Sequence, residues 1–157
     1  MKQSPELQQA QRRMQPGVIS LHGFLGSDRR NLLEILTADQ DAVNALGLSH
    51  EQIANRLQEL TTAAQKALGT AVVLERRYEV RYDESRGTIS SPFGSTRRFP
   101  KDTLYLKDIE SGETLQWSSL SIHMIREHGF YGGIGSPYRV DPARAARILH
   151  LSRITSP

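Results

Sequence analysis

The sequence predicts an α+β protein: an N-terminal helical hairpin, an antiparallel β-meander of about four strands, and two short C-terminal helices. Apolar residues recur at helical spacing between residues 31 and 67. Apolar and charged residues then alternate from Val72 to Asp83, which is typical of a half-buried antiparallel strand. Helix-start signals return at Ser118 or Ser119 and at Asp141-Pro142. Helices grouped on one face of a sheet place the chain in the α+β class.

The N-terminal helical hairpin is predicted from two apolar stripes that a short loop joins. The first helix runs from Asn31 to Leu46, and Asp28 is its predicted N-cap. The second helix begins at Ser49, which has the spacing of a capping box with Gln52. Before the hairpin, residues 1–16 are polar and lack a clean apolar stripe, so they predict a frayed helix or a mobile arm. Residues 17–157 are then one α+β domain.

The sheet is predicted from alternation and from turn signals between the alternating segments. Val72–Asp83 is one long strand in this prediction, and Arg86-Gly87 is a turn. A short apolar run near the N-terminus predicts one more strand. The remaining predicted segments are a strand at Val18–Leu21, a continuation of the sheet at Thr88–Ser91, a loop at Pro92–Lys101, and a hairpin of Thr103–Ile109 with Glu113–Ser118. The two C-terminal helices end at His128 and at about Leu151.

Composition excludes several classes of site. The 157 residues include no cysteine, which excludes disulfides, thiolate metal ligands and cysteine nucleophiles. No segment approaches the roughly 20 apolar residues that a membrane-spanning helix needs, so we expect no membrane association and a cytoplasmic protein. The formal net charge of +3 is too small to indicate nucleic acid by itself.

Two local resemblances are not supported by the rest of the chain. Val18–Ser27 resembles the oxyanion-hole segment of α/β-hydrolases, but the chain has no Gly-x-Ser-x-Gly nucleophile elbow, even around Ser136. Leu46–Leu57 resembles the first half of a bacterial helix-turn-helix. The helical pattern continues to Leu68 where the turn belongs, which favours a core helix and argues against sequence-specific DNA binding.

The chain contains two similar segments, each His-Gly-Phe-x-Gly followed by Ser-x-x-Arg. The first loop is residues 22–30 and the second loop is residues 128–139. Each brings together an imidazole, backbone amides, a hydroxyl and a guanidinium, a combination suited to binding an anion or a carbonyl. We therefore hypothesise that both loops line one cleft, with Phe24 and Phe130 as apolar anchors.

The predicted ligand-binding residues follow from the second loop and the helix after it. Glycines free the loop to expose its amides, and arginines recur along one stripe of the helix. A solvated outer helix face explains the same stripe equally well. The predicted ligand-binding residues are Ser136, Tyr138, Arg139, Arg144 and Arg147.

The predicted catalytic residues are His123, Glu127, His128 and His22. His123 and Glu127 are four residues apart and share a helix face, so they form either a structural pair or an oriented general base. His123 and His128 are five apart, which does not suit two metal ligands from one helix. The sequence therefore assigns no metal, and it identifies no cofactor.

Together these observations predict a small cytosolic binding protein, whose site at the Gly-rich second loop and basic last helix takes an anion, a nucleotide or an acidic partner. One alternative is a hydrolase or transferase that depends on His and Glu. Another is an interaction subunit of a larger complex. The predicted partner is an anionic small molecule or a protein, and the oligomeric state is not predicted.

Overall fold

The computed structural model describes residues 2–94 and 96–153, and within them the chain is an α+β protein. Helices precede and follow a four-stranded antiparallel sheet, as the sequence predicts. In chain order the elements are α1 (Pro5–Arg13), α2 (Leu32–Ala45), α3 (His50–Gln65), β1 (Val72–Leu74), β2 (Tyr78–Ser90), β3 (Arg98–Asp108), β4 (Thr114–Trp117), α4 (Ser119–His128) and α5 (Pro142–Leu149).

The sheet is a meander of order β1-β2-β3-β4, and one predicted strand proves to be two. The prediction of one long strand over Val72–Asp83 is wrong, because the chain turns between Leu74 and Tyr78. Glu75 and Arg76 adopt left-handed φ values of 54° and 57° there. Arg76, which breaks the apolar alternation, therefore lies in the turn of a hairpin between β1 and β2.

The far end of the sheet is a ribbon made only of β2 and β3. The predicted turn at Arg86-Gly87 was also wrong, because β2 runs through it as an irregularity in register between Ser85 and Thr88. β3 begins at Arg98, so the loop after β2 is shorter than predicted. The β3–β4 hairpin closes around Ser111-Gly112 as expected. The ribbon extends past the short outer strands and provides one wall of the site described below.

Most helix starts follow local capping signals. Ser49 and Gln52 form the predicted capping box of α3, and Asp141 caps α5. Ser118 caps α4, which ends at His128 as predicted. The start of α2 differs: Asn31 accepts the cap hydrogen bond from the Glu34 amide, while the predicted cap, Asp28, binds elsewhere.

Two apolar clusters form the core, and α4 contributes to both. One cluster joins α3 and α5 to the sheet, and α3 packs most extensively against α4. Its largest member, Trp117, is fully buried and donates its indole N–H to Thr61 at 2.9 Å. The second cluster joins α1, α2 and the ribbon to Leu120, Met124 and Phe130. Helix α4 therefore links the main core to the N-terminal part of the chain.

The N-terminal segment predicted as a mobile arm contains α1, which packs on the second cluster. Ala10 and Met14 are buried. The side chain of Gln11 accepts a hydrogen bond from the Leu32 amide, and Gln3 accepts one from the Leu33 amide. These bonds satisfy free N–H groups in the first turn of α2. The mobility of residues 1–16 stays a prediction, while the contacts of α1 in this structure are those of a docked helix.

Val18–Leu21, predicted as a strand, is an irregular loop between α1 and α2. Its exit is fixed where the Phe24 amide donates to the Met14 carbonyl at 2.9 Å.

No helix in residues 2–94 and 96–153 is long and apolar enough to cross a membrane.

Candidate functional site

The two similar loops lie against each other in the structure. The Gly133 amide donates to the Phe24 carbonyl, and the Ser27 amide donates to the Ile134 carbonyl, both at 3.0 Å. The hydroxyl of Ser27 also donates to Ile134, at 3.2 Å. Segments more than a hundred residues apart in the chain are thereby joined backbone to backbone.

This contact depends on glycine at two positions. A Cβ at Gly133 would overlap the carbonyl of Leu25, and a Cβ at Gly26 would overlap the amide of Ser136. Gly26 also has a positive φ of 58°. Backbones can approach this closely only where a side chain is absent. Gly26 and Gly133 therefore have a direct structural use, which is to let the two loops meet.

The arginine of each loop binds an aspartate of this chain. Arg30 forms a two-pronged contact with Asp28, at 2.9 and 2.7 Å, which holds the pKa of that carboxyl well below its usual range. Arg139 contacts Asp39 with both terminal nitrogens at 2.9 Å and also binds the Gly132 carbonyl. Both guanidinium groups therefore fix the loops in place.

A cavity of about 440 Å³ lies beside the joined loops, and we call it the loop cavity. Most of its wall is apolar, and its lining residues also include several with hydroxyls, together with Asp102, Lys101 and His22. Its lining comes from the loop before α2, the ribbon, the first turns of α4 and the second loop: residues 19–24, Ser85, Ile89, residues 100–103, Ser118, Leu120, Ser121, Met124, residues 130–132 and residues 136–138.

Asp102 lies on β3, lines the loop cavity and contacts the first residue of α4. Its carboxylate accepts hydrogen bonds from the Ser119 amide at 2.8 Å, from the Ser119 hydroxyl, and from the Tyr82 hydroxyl at 2.9 Å. Burial, together with the hydrogen bond to Asp102, raises the pKa of Tyr82 to about 12, although a contact with Gln65 opposes the rise. Tyr82 is therefore a neutral donor at neutral pH.

The predicted ligand-binding residues separate into two groups. Ser136 and Tyr138 line the loop cavity, and the Tyr138 hydroxyl lies 2.8 Å from that of Thr103. Arg139, Arg144 and Arg147 do not line it. Arg139 is held by Asp39, and Arg147 forms an exposed ion pair with Glu113 at 2.9 Å. The second loop thus reaches the cavity, whereas the basic face of α5 does not.

The predicted catalytic residues also separate. His22 lines the loop cavity, together with Phe24 and Phe130 as hypothesised. His128 does not, and stacks on Phe93 with ring centroids 4.0 Å apart. His123 lies against Phe99 at 4.6 Å.

No hydrogen bond or ion pair joins His123 to Glu127 among the residues described, and Glu127 is exposed. The Nε2 atom of His123 is buried and has no hydrogen-bond partner among residues 2–94 and 96–153. Burial lowers the pKa of both His123 and His128. The α4 histidines therefore belong to an apolar packing cluster.

Partial desolvation of three histidines predicts a loss of stability in mild acid. Burial lowers the pKa of His50, His123 and His128 from the ordinary value of 6.5. The unfolded chain therefore takes up protons below about pH 6.5 that the folded chain resists, and the free energy of unfolding falls as the pH decreases. Urea unfolding at a series of pH values across that range measures how the free energy of unfolding depends on pH. The dependence reports the number of protons taken up on unfolding, and His123→Gln should reduce that number by at most one.

The exposed His22 provides the matched control, because His22→Gln removes a histidine that is not buried. The same titration of this variant shows how much of any change in slope comes from losing a histidine of any kind. An unfolding free energy that stays constant between pH 7 and 5 would contradict the prediction.

Sequence reasoning missed two features of the site. One is His50, which is half-buried: its Nδ1 lies 2.8 Å from the Tyr131 hydroxyl and its Nε2 lies 2.7 Å from the Gln40 side-chain oxygen. Burial raises the pKa of Tyr131. The other is Asp102. The sequence shows it only as a charged residue that interrupts the alternation of apolar residues in β3, and nothing there marks it as part of a site.

No group of three or more His, Asp and Glu side chains in the described part of the chain could hold a metal ion. Comparisons with family models, with curated proteins and with solved structures found no match to this chain.

Proposed function

We propose that this protein binds a small, largely apolar organic molecule in the loop cavity. The observation that carries the proposal is the cavity itself: about 440 Å³, with a mostly apolar wall that also contains polar side chains, Asp102 among them. Small-molecule sites in proteins have this character, with volumes of roughly 300–1,000 Å³ and a small number of polar groups that fix orientation.

The way the cavity is built also supports binding. Its walls come from four separate segments of the chain, and the two loops are fixed by backbone hydrogen bonds and by arginine–aspartate contacts. A preformed cavity of this kind loses little conformational entropy when a ligand enters. The loop at residues 19–23 covers one side, and Leu21 is 78% exposed at its tip.

The chemistry of the cavity changes the ligand expected from the sequence. Arg139, Arg144 and Arg147, predicted to bind an anion, lie outside the cavity lining, and a carboxylate lies within it. We therefore keep a binding protein as the proposed class and replace the anion with a largely apolar molecule. The hydrolase or transferase alternative is less well supported, because His123 and Glu127 do not line the cavity with His22.

Blocking the cavity should abolish binding of small molecules. Thr103 is half-buried beside Tyr138, so Thr103→Trp should occupy that part of the cavity. We expect ligand-observed NMR with a library of small aromatic and aliphatic fragments to find hits for the unchanged protein. Those hits should weaken at least about tenfold in Thr103→Trp.

The matched control is Lys107→Trp, which places the same ring on β3 at an exposed position outside the cavity. It should bind the fragments as the unchanged protein does. Ser85→Trp, on the neighbouring strand at the cavity wall, is a second blocking variant. Fragments that bind equally to all the variants, or a library without hits, would contradict the proposed function.

A further inference from the structure

We propose that the ligand of the loop cavity carries a positively charged group, such as an alkylammonium, which binds beside Asp102. This inference rests on the proposed function, because it specifies the ligand of the same cavity. It follows from a comparison of the buried carboxylates and from the aromatic rings in the cavity wall.

Three aspartates are buried in the described part of the chain, and their partners differ. Asp39 binds Arg139 with both oxygens, and Asp108 binds Arg77 in the same way. Asp102, which is 6% exposed, has no ion pair within residues 2–94 and 96–153. A buried carboxylate is normally paired with a cation because desolvation of its charge is costly. Asp102 is also the only one of the three that lines the loop cavity.

The groups around Asp102 leave room for one more donor. Its oxygens accept from the Ser119 amide, the Ser119 hydroxyl and the Tyr82 hydroxyl. An ionised carboxylate offers about four acceptor positions. The partial charge at the start of α4 stabilises the carboxylate, but a cation in the cavity would add a full opposite charge. An anion in the same place would be repelled.

The cavity wall favours an organic cation for a second, independent reason. Four aromatic residues line it: Phe24, Phe130, Tyr131 and Tyr138. Aromatic faces attract cations through the ring quadrupole, more strongly when water is excluded. Lys101 also lines the cavity, but it is exposed, and its ammonium lies 4.0 Å from the place a Cβ would take at Gly87. The Lys101 charge is thus directed toward the β2 irregularity.

Three probes of similar size separate charge from shape: phenylbutylamine, phenylbutanol and phenylbutyrate, which are cationic, neutral and anionic at neutral pH. Affinities for the unchanged protein are measured by NMR titration of its backbone amides. We expect phenylbutylamine to bind about tenfold more tightly than phenylbutanol, and phenylbutyrate to bind most weakly. The shifted amides should lie in residues 19–24 and 118–124.

Asp102→Asn should remove the preference for the amine, so that this variant binds phenylbutylamine and phenylbutanol with similar affinities. Asp108→Asn is the matched control, because it removes a buried carboxylate from the same strand outside the cavity, and it should keep the preference. If Asp102→Asn does not fold, the order of affinities of the three probes for the unchanged protein still tests whether the cavity prefers a cation.

The outcomes distinguish this inference from the proposed function. Phenylbutanol or phenylbutyrate binding as tightly as the amine, or an amine preference that survives Asp102→Asn, would overturn the cation assignment alone. If none of the three probes shifts amides at the cavity, while fragments of other kinds do bind there, the cation assignment also fails. An absence of binding by every probe and fragment would overturn the proposed function itself.

Discussion

Replacing Arg139 with methionine is expected to lower the free energy of unfolding by about 3–5 kcal/mol. The Arg139 and Asp39 side chains are only 13% and 6% exposed, so Arg139→Met leaves a buried carboxylate without its partner. The Gly132 carbonyl loses a donor as well. Urea unfolding followed by tryptophan fluorescence measures the effect, because Trp117 is the one tryptophan in the chain.

Two further variants show whether burial causes this loss. Arg147→Met removes an exposed ion pair with Glu113 and should cost less than about 1 kcal/mol. The double variant Asp39→Leu with Arg139→Met removes both buried charges and should recover part of the lost stability. Equal effects of Arg139→Met and Arg147→Met would show that the Asp39–Arg139 pair does not hold the second loop in place.

Gly26→Ala is expected to lower the free energy of unfolding by at least about 2 kcal/mol and to abolish fragment binding. A Cβ at Gly26 overlaps the Ser136 backbone, so the loops must separate to admit it. Because Ser136 and its neighbours line the loop cavity, the separation should also disrupt the binding site. Urea unfolding and the NMR fragment assay measure the two effects on the same sample.

Gly112→Ala is the control for this variant, because Gly112 has a positive φ of 76° and open space where a Cβ would lie. Gly112→Ala should lower the free energy of unfolding by only about 1–2 kcal/mol, the cost of a residue with a side chain at a positive φ. It should keep full fragment binding. If Gly26→Ala binds fragments as the unchanged protein does, the close contact between the loops is not needed for the cavity.

The elements predicted correctly from sequence are those fixed by neighbouring residues. The start of α3 follows from the Ser49–Gln52 capping box, and the start of α5 from Asp141-Pro142, because each signal is a local hydrogen bond or backbone restraint. The β3–β4 hairpin follows from Ser111-Gly112 in the same way. The helix and strand periodicities then place these elements in the α+β class.

The errors arise where tertiary contacts override a local pattern. Glu75 and Arg76 form a left-handed turn without glycine, so the alternation of Val72–Asp83 continues through it unmarked. Val18–Leu21 is apolar enough for a strand, yet Ile19 and Leu21 line the loop cavity.

The candidate site was only partly predictable. The repeated His-Gly-Phe pattern indicated that the two loops lie together, and His22, Ser136 and Tyr138 do line one cavity. The ribbon and the start of α4 complete that cavity, and no spacing in the sequence connects them to the loops. The roles of Arg139 and Asp102 depend on partners up to a hundred residues away, which one sequence does not reveal.

The most direct test of a ligand site between the two loops is a crystal structure of the protein with its tightest-binding fragment. We predict electron density for the fragment inside the loop cavity, in contact with Phe24, Phe130 and Tyr138 and close to Asp102. Density for the fragment at another surface, with the loop cavity filled by its own side chains, would contradict the proposed site.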